Sequence, residues 1–178
     1  MKRCCILLCI FLLLSGCAAE MVSTEKGSCV FGAFVTTDLT GEPVNESVFA
    51  GHKLTMVNIW ATFCNPCIGE MPELAQLRTE YGDGFQVIGI VVDAADRNGN
   101  ILPERKTEAA AIVEAAGADY LHLLPSRSLN GAYLNGVQSV PETVFVDESG
   151  NRIGVSYYGA RNKVEWKTII DAMLESLS

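Results

Sequence analysis

The spacing of apolar residues along the chain predicts alternating strands and helices. Continuous apolar runs at residues 54–60 and 85–92 are typical of central parallel strands that are covered on both faces. Trp166, Ile170 and Met173 recur every three or four residues, which predicts an amphipathic last helix. This alternation is typical of the α/β class, with a mixed central β-sheet flanked by helices on both faces.

Turn and cap residues bound the other predicted elements. The chain has a strand at 30–37, a tight turn at 38–43, a short element at 44–50 and a helix that ends at Gly82. Further on it has a helix at 104–116, a strand at 120–124, a short helix at 126–133, strands at 143–146 and 152–158, and a last helix capped by Asn162. The last two strands are joined by a polar turn, which predicts an antiparallel hairpin.

Two cysteines, Cys64 and Cys67, lie between the first long apolar strand and the helix that follows it. A Cys-x-x-Cys pair at such a junction predicts a dithiol redox site. Cys64 falls at the helix N-terminus, where the helix dipole and free N–H groups stabilise a thiolate, so we interpret it as the nucleophile. Cys67 lies one turn inside the helix and is interpreted as the thiol that resolves a mixed disulfide.

A resemblance to a known family is carried by Trp60-Ala61-Thr62-Phe63-Cys64-Asn65-Pro66-Cys67, followed by Glu70 and Pro72. This run resembles the thioredoxin-like disulfide reductases of the TlpA/ResA type, which are membrane-tethered and act outside the cytoplasm. A second motif, Val140-Pro141-Glu142-Thr143, precedes an apolar strand, where this fold places a cis-proline facing the dithiol. The resemblance implies a thioredoxin-like fold over residues 30–178, with an N-terminal β-hairpin extension.

The resemblance also implies where clients bind. With a cis peptide bond before Pro141, the backbone of Val140 faces Cys64 and is free to pair with an extended client segment. The ordinary alternative is a trans proline at the start of a strand. We expect the surface around Trp60, Val140 and the polar connection at 93–103 to determine which client proteins bind.

Glu70 is the candidate proton carrier. Asn58 occupies the position where cytosolic thioredoxins carry a buried aspartate, and Glu70 lies one turn after Cys67 on the same helix face. A carboxylate beside a thiolate raises the pKa values of both groups, so Glu70 would accept and return the proton of Cys67. The alternative is a solvated first-turn glutamate stabilised by the helix dipole.

The first 17 residues resemble a bacterial lipoprotein signal. Lys2 and Arg3 precede an apolar core at 6–14, and Leu14-Ser15-Gly16-Cys17 resembles a lipobox. We therefore expect a signal peptide at 1–16, a lipidated Cys17 with a tether at 17–29, and an extracytoplasmic domain anchored to a bacterial cell membrane, facing the periplasm in a diderm cell. The alternatives are an ordinary signal peptide cut near Ala18-Ala19, or an uncleaved anchor.

Removal of that signal changes the charge and the cysteine count. The whole chain has 13 Lys plus Arg against 21 Asp plus Glu, and loss of Lys2 and Arg3 leaves a domain about ten charges negative. Such acidity argues against nucleic acid or an anionic lipid surface as a partner. Cys29 remains as an odd cysteine, interpreted as a small buried apolar residue, with a regulatory or intermolecular thiol as the alternative.

No metal or cofactor is expected. The polar connection at 93–103 has some features of a calcium loop, but Ala94 and Arg105 fall where two obligatory acidic ligands would stand. His52 and His122 are isolated from each other and from the cysteines, so packing within a strand or at the surface is expected for both.

Several functions are compatible with the dithiol. We favour a reductant of oxidised exported proteins, recharged by a membrane electron donor of the CcdA/DsbD kind, as in the resembling family. A disulfide-forming oxidase is the first alternative, and reduction potential separates the two. A copper chaperone is less favoured because Sco-like proteins have three residues between their cysteines, and a peroxidase because Ala61 stands where a Thr or Ser is normal. A purely structural disulfide ranks last, since so short a loop stabilises little.

Overall fold

The structure is a computed structural model that describes residues 29–177. The signal peptide predicted at 1–16, the lipidation predicted at Cys17 and nearly all of the predicted tether lie outside the described residues. Within residues 29–177, no helix has the length and apolar character needed to cross a membrane.

A five-stranded mixed sheet forms the centre of the structure, with strand order β5-β4-β3-β6-β7. Strand β3 pairs parallel with β4 and antiparallel with β6, β4 pairs parallel with β5, and β6 pairs antiparallel with β7. The strands are β1 (Val35–Thr37), β2 (Pro43–Asn45), β3 (Leu54–Trp60), β4 (Phe85–Val91), β5 (Leu121–Leu123), β6 (Glu142–Val146) and β7 (Arg152–Tyr158). The helices are α1 (Asn65–Tyr81), α2 (Pro103–Ala116), α3 (Arg127–Ala132) and α4 (Lys163–Ser176). The predicted fold class is therefore confirmed.

Strand β3 is buried along its whole length because both faces of the sheet are covered. Met56 and Trp60 contribute to the core cluster that also holds buried residues of α1, α2 and α4. Val57 and Ile59 point to the opposite face and belong to a second cluster with Phe31, Phe49 and Leu129. The period of two along an extended strand thus supplies both cores from one segment, and the chain enters α1 from the end of this fixed strand.

The N-terminal hairpin is present but shorter than predicted. Its first strand begins at Val35, not at residue 30, and β1 pairs antiparallel with β2. Phe31 and Phe34 are both buried and both pack against Phe49, with ring centroids 6.0 and 6.1 Å away. Side chains three residues apart cannot share one face of a regular strand, so burial of both rings prevents an earlier start to β1.

His122 is packed within strand β5, as expected for an isolated histidine. Burial lowers the pKa of His122 to about 4, and its Nε2 lies 3.2 Å from the carbonyl oxygen of Ala118. Gly89 of β4 is its register partner. A Cβ on Gly89 would lie 2.3 Å from Nδ1 of His122 and 3.1 Å from Nε1 of Trp60, so only glycine leaves room for both rings.

We therefore expect Gly89→Ala to lower the free energy of unfolding by about 1–3 kcal/mol, the usual effect of overpacking a filled core. Gly69→Ala is the matched control, because Gly69 lies inside α1 and an added Cβ would meet nothing within 4 Å. There the same substitution should stabilise by about 0.5–1 kcal/mol. Urea unfolding followed by circular dichroism measures both, and equal stabilities for the two variants would contradict the close packing.

Candidate dithiol active site

The two cysteines form a disulfide at the junction of β3 and α1, with an S–S distance of 2.01 Å. The N–H of Cys64 donates to the carbonyl oxygen of Ala61 at 3.0 Å, which closes the turn after β3. Cys64 is the N-cap of α1, and its Sγ accepts a hydrogen bond from the N–H of Cys67 at 3.3 Å. Pro66 fits this first turn because a helix N-terminus does not need its missing N–H. The first sulfur therefore lies among the free N–H groups at the positive end of α1.

The two sulfurs differ in how far solvent reaches their residues. Cys64 is 6% exposed and Cys67 is fully buried. Asn65 and Pro66, between them, are exposed, and so is Phe63, which has 70% of its surface accessible. Cys64 is therefore the more accessible of the two cysteines. The roles of nucleophile and resolving thiol stay predictions.

The proline motif lies at the same edge of the sheet. The Val140–Pro141 peptide bond is cis, the isomer that the sequence left open. Ile59 of β3 and Glu142 of β6 are register partners, so Pro141 stands beside the end of β3 from which the chain enters the cysteine turn. Val140 is half-buried and packs against the core cluster that contains Cys64. The structure thus brings both predicted motifs together.

Trp60 does not lie on the client-facing surface, which corrects its predicted binding role. Its side chain is fully buried, with the ring edge-on to His122 at a centroid distance of 5.7 Å. The reason is its place in β3, since it has the same side-chain direction as Met56 and points into the core. Phe63 is the exposed aromatic residue next to the dithiol.

Glu70 is buried, with only 3% of its surface exposed, and is not a solvated first-turn glutamate. Its Oε1 accepts a hydrogen bond from Nδ2 of Asn58 at 2.9 Å. Its Oε2 accepts from the backbone N–H of Arg161 and from Nε1 of Trp166, both at 3.1 Å. Four separate segments of the chain thus converge on this carboxyl group: β3, α1, the β7–α4 connection and α4.

Burial raises the pKa of Glu70 above its ordinary value of 4.5. The three hydrogen bonds and the nearby Arg161 charge act in the opposite direction but do not cancel that rise. The folded protein therefore binds this proton more tightly than the unfolded chain does. By linkage, this group makes folding less favourable as pH rises from about 4.5 through the folded pKa. A carboxyl group that titrates nearer neutrality can exchange a proton with a neighbouring thiol.

Arg161 and Trp166 were not predicted as parts of this site. The helical spacing correctly predicted Trp166 as a core residue, and it is fully buried. Its indole N–H, however, also bonds a carboxylate 96 positions earlier in the chain. A contact between residues so far apart in the chain cannot be predicted from a short sequence pattern. A buried indole N–H needs a hydrogen-bond partner. That requirement is the signal in the sequence that could have pointed to a polar contact at Trp166.

A family model described as the AhpC/TSA family matches residues 30–151, and the chain belongs to this family. It is 28% identical over 117 residues to the thioredoxin-like protein YneN of Bacillus subtilis, an alignment that covers 66% of this chain and 63% of that protein. It is also 28% identical over 123 residues to the thiol-disulfide oxidoreductase ResA of Halalkalibacterium halodurans, with 68% and 63% covered. The chain thus spans slightly less than two thirds of the length of these relatives.

Solved structures show the same fold. A thiol:disulfide interchange protein of the thioredoxin family from Chlorobium tepidum superposes with a TM-score of 0.64 at 24% identity, over 83% of this chain and 95% of that one. A structure described as a putative thiol:disulfide interchange protein DsbE from Chlorobium tepidum gives a TM-score of 0.66 at 22% identity, over 86% and 99%. The chain therefore has the thioredoxin-like fold implied by its two motifs.

We expect Glu70→Gln to leave the fold intact and to change the pH dependence of thiol reactivity in the reduced protein. Glutamine keeps the shape and can still accept from Arg161 and Trp166, but it cannot take a proton from Cys67. The measurement is the alkylation rate of each active-site thiol between pH 5 and 10. Glu80→Gln is the control, since Glu80 is exposed in the same helix. A profile for Glu70→Gln identical to that of the unaltered protein would remove Glu70 from the mechanism.

Proposed function

We propose that this protein is a thiol-disulfide oxidoreductase that reduces disulfides of exported client proteins. The observation that carries the proposal is the Cys64–Cys67 pair at the N-terminus of α1, backed by the buried carboxyl group of Glu70. The relatives named as thiol-disulfide oxidoreductases and interchange proteins support the same activity.

In the proposed cycle, the dithiol form begins with Cys64 as a thiolate. It attacks one sulfur of a client disulfide, forms a mixed disulfide and expels the other client sulfur as a thiolate. Glu70 takes the proton of Cys67, and the resulting thiolate attacks Cys64 Sγ. Both client sulfurs leave as thiolates, and one takes the proton that Glu70 received from Cys67 while the other takes a proton from solvent. The client thus gains two electrons and becomes a dithiol, and the protein is left as the Cys64–Cys67 disulfide. No cofactor takes part.

The backbone beside Pro141 is the proposed binding site for client proteins. Val140 lies at the edge of the site, and an extended client segment would pair with its main-chain groups. Such pairing demands little of the client sequence. Phe63, which is exposed beside Cys64, would supply apolar contact on the other side of the dithiol. Oxidised proteins of varied sequence are therefore the proposed partners.

The proposed location is outside the cytoplasm, at the cell membrane. Support comes from the sequence alone: the signal-like segment at 1–16 and the lipobox before Cys17. A lipid on Cys17 would hold the dithiol near the bilayer, within reach of a membrane electron donor of the CcdA/DsbD kind. Apocytochrome c cysteines, exported methionine sulfoxide reductases and other oxidised surface proteins are the proposed clients, and nucleic acid is not.

A disulfide-forming oxidase uses the same site in the opposite direction and is the main alternative. A copper chaperone would need a third ligand such as a histidine. His122 is poorly placed for that role, since it is buried in β5 with its Nε2 against the carbonyl oxygen of Ala118. A peroxidase would need a hydroxyl group at position 61, which is occupied by a fully buried alanine.

The reduction potential of the Cys64–Cys67 pair tests the direction of electron flow. We expect a value near or below that of thioredoxin, about −270 mV, as a reductant requires. Equilibration of the protein with dithiothreitol or glutathione buffers, with alkylation read on the peptide that carries both cysteines, gives the value. A potential near that of DsbA, about −120 mV, would establish the oxidase instead.

Replacement of each cysteine separates the two thiol roles. Cys64→Ala should abolish disulfide reduction, because Cys67 is enclosed. Cys67→Ala should retain attack but lose resolution, so mixed disulfides with a model client should accumulate and be visible on a non-reducing gel. Cys29→Ala is the control and should leave turnover unchanged. Accumulation of mixed disulfides on Cys64→Ala rather than on Cys67→Ala would reverse the assignment.

A further inference from the structure

Thr62, two residues before Cys64, is held by three hydrogen bonds to the chain beyond its own turn. Its backbone N–H donates to Oδ1 of Asp93 at 3.0 Å, and its hydroxyl donates to Oδ2 of the same carboxylate at 2.6 Å. The hydroxyl oxygen also accepts from Nη1 of Arg105 at 3.2 Å. Thr62 is only 5% exposed, and the three bonds are partly buried.

The two partners come from different elements and carry opposite charges. Asp93 follows the end of β4 and is half-buried. Arg105 lies in the first turn of α2 and also pairs with Glu108 at 2.7 Å. The turn that carries the dithiol is thereby tied to the sheet on one side and to α2 on the other, through one threonine.

We propose that Asp93 and Arg105 are positioning residues of the Cys64–Cys67 site, which hold the cysteine turn through Thr62 and bias the dithiol–disulfide equilibrium in opposite directions. The inference rests on the proposed redox function of this pair. It adds to that function two charged residues that tune the reduction potential of the dithiol.

The bias follows from simple electrostatics. The Cα atoms of Thr62 and Cys64 are at most about 7.6 Å apart, and both charged groups bond Thr62 directly. Both charges therefore belong to the surroundings of the cysteine turn, and partly buried charges are screened less by salt than exposed ones. Only the dithiol form carries a thiolate. The Asp93 carboxylate therefore disfavours the reduced form, and the Arg105 guanidinium favours it.

Other charged groups near the dithiol stay the same in the proposed variants. Glu70 is buried in α1 one turn after Cys67, and the backbone N–H of Arg161, which precedes α4, donates to it. Glu142, next to Pro141, faces the other side of the sheet, where its Oε1 accepts from Tyr133 and Ser156 at 2.7 and 2.8 Å. A difference between variants thus reports Asp93 or Arg105.

The test measures the dithiol–disulfide equilibrium of Asp93→Asn and Arg105→Gln in the full-length protein against glutathione. Asparagine keeps an oxygen for the N–H of Thr62 and an amide for its hydroxyl oxygen, so the shape persists without the charge. We expect Asp93→Asn to shift the equilibrium about three- to tenfold toward the dithiol. Arg105→Gln should shift it toward the disulfide, by less, because the Arg105 side chain is 46% exposed. A tenfold shift equals about 30 mV for this two-electron couple.

The pH midpoint of Cys64 alkylation is the second readout, which should fall in Asp93→Asn and rise in Arg105→Gln. Asp147→Asn is the matched control, because Asp147 is also a half-buried turn aspartate, bonded to the N–H groups of Ser149 and Asn151. It should change neither readout.

Shifts of the same sign in both variants would indicate a loosened turn and overturn the electrostatic role, and so would no shift at all. Disulfide reduction of a model client by the unaltered protein is scored separately. Absent reduction there, with opposite shifts in the variants, would contradict the proposed function while leaving the assignment of Asp93 and Arg105 standing.

Discussion

The burial of β3 on both of its faces is the constraint on which the rest of the structure depends. All seven of its residues are buried, and neighbours β4 and β6 fix its register from both sides. The end of this strand sets where Cys64 enters α1, and its pairing with β6 sets where Pro141 stands. A shift of one residue would send every side chain of β3 to the opposite core. The dithiol and the proline motif therefore owe their relative position to the packing of a strand that carries neither of them.

A buried carboxyl group beside the dithiol is the second organising feature. An ionised carboxylate is costly to bury unless donors surround it, and Glu70 has one from each of Asn58, Arg161 and Trp166. These bonds stabilise the anion, while burial favours the neutral acid, and burial is the larger effect. Burial thus holds the pKa of Glu70 above its ordinary value. The proposed role of Glu70 as proton carrier for Cys67 relies on a shift in that direction.

Membership of the AhpC/TSA family does not by itself define the reaction, which depends on the residues of the site. Two cysteines with two residues between them, the second of them enclosed, suit exchange between a dithiol and a disulfide. Ala61 gives the turn no hydroxyl group at the position where a peroxidatic site would have one. The fully buried Trp60 makes the surface around Cys64 depend on Phe63 and on the Val140–Pro141 backbone. Family membership thus limits the classes of reaction to consider, and the placement of the side chains at the site favours disulfide exchange among them.

The sequence alone determined the features that depend on neighbours along the chain. The apolar runs located β3 and β4, glycines and cap residues bounded α1, α2 and α4, and the cysteine spacing located the redox pair. Only the tertiary structure decided contacts between distant segments: the burial of Trp60, the late start of β1, the donors to Glu70 and the bonds from Asp93 and Arg105 to Thr62. Local spacing fixes backbone conformation and the face that a side chain takes. Which distant group meets that face depends on how the sheet and helices pack, and no short pattern in the chain reports that.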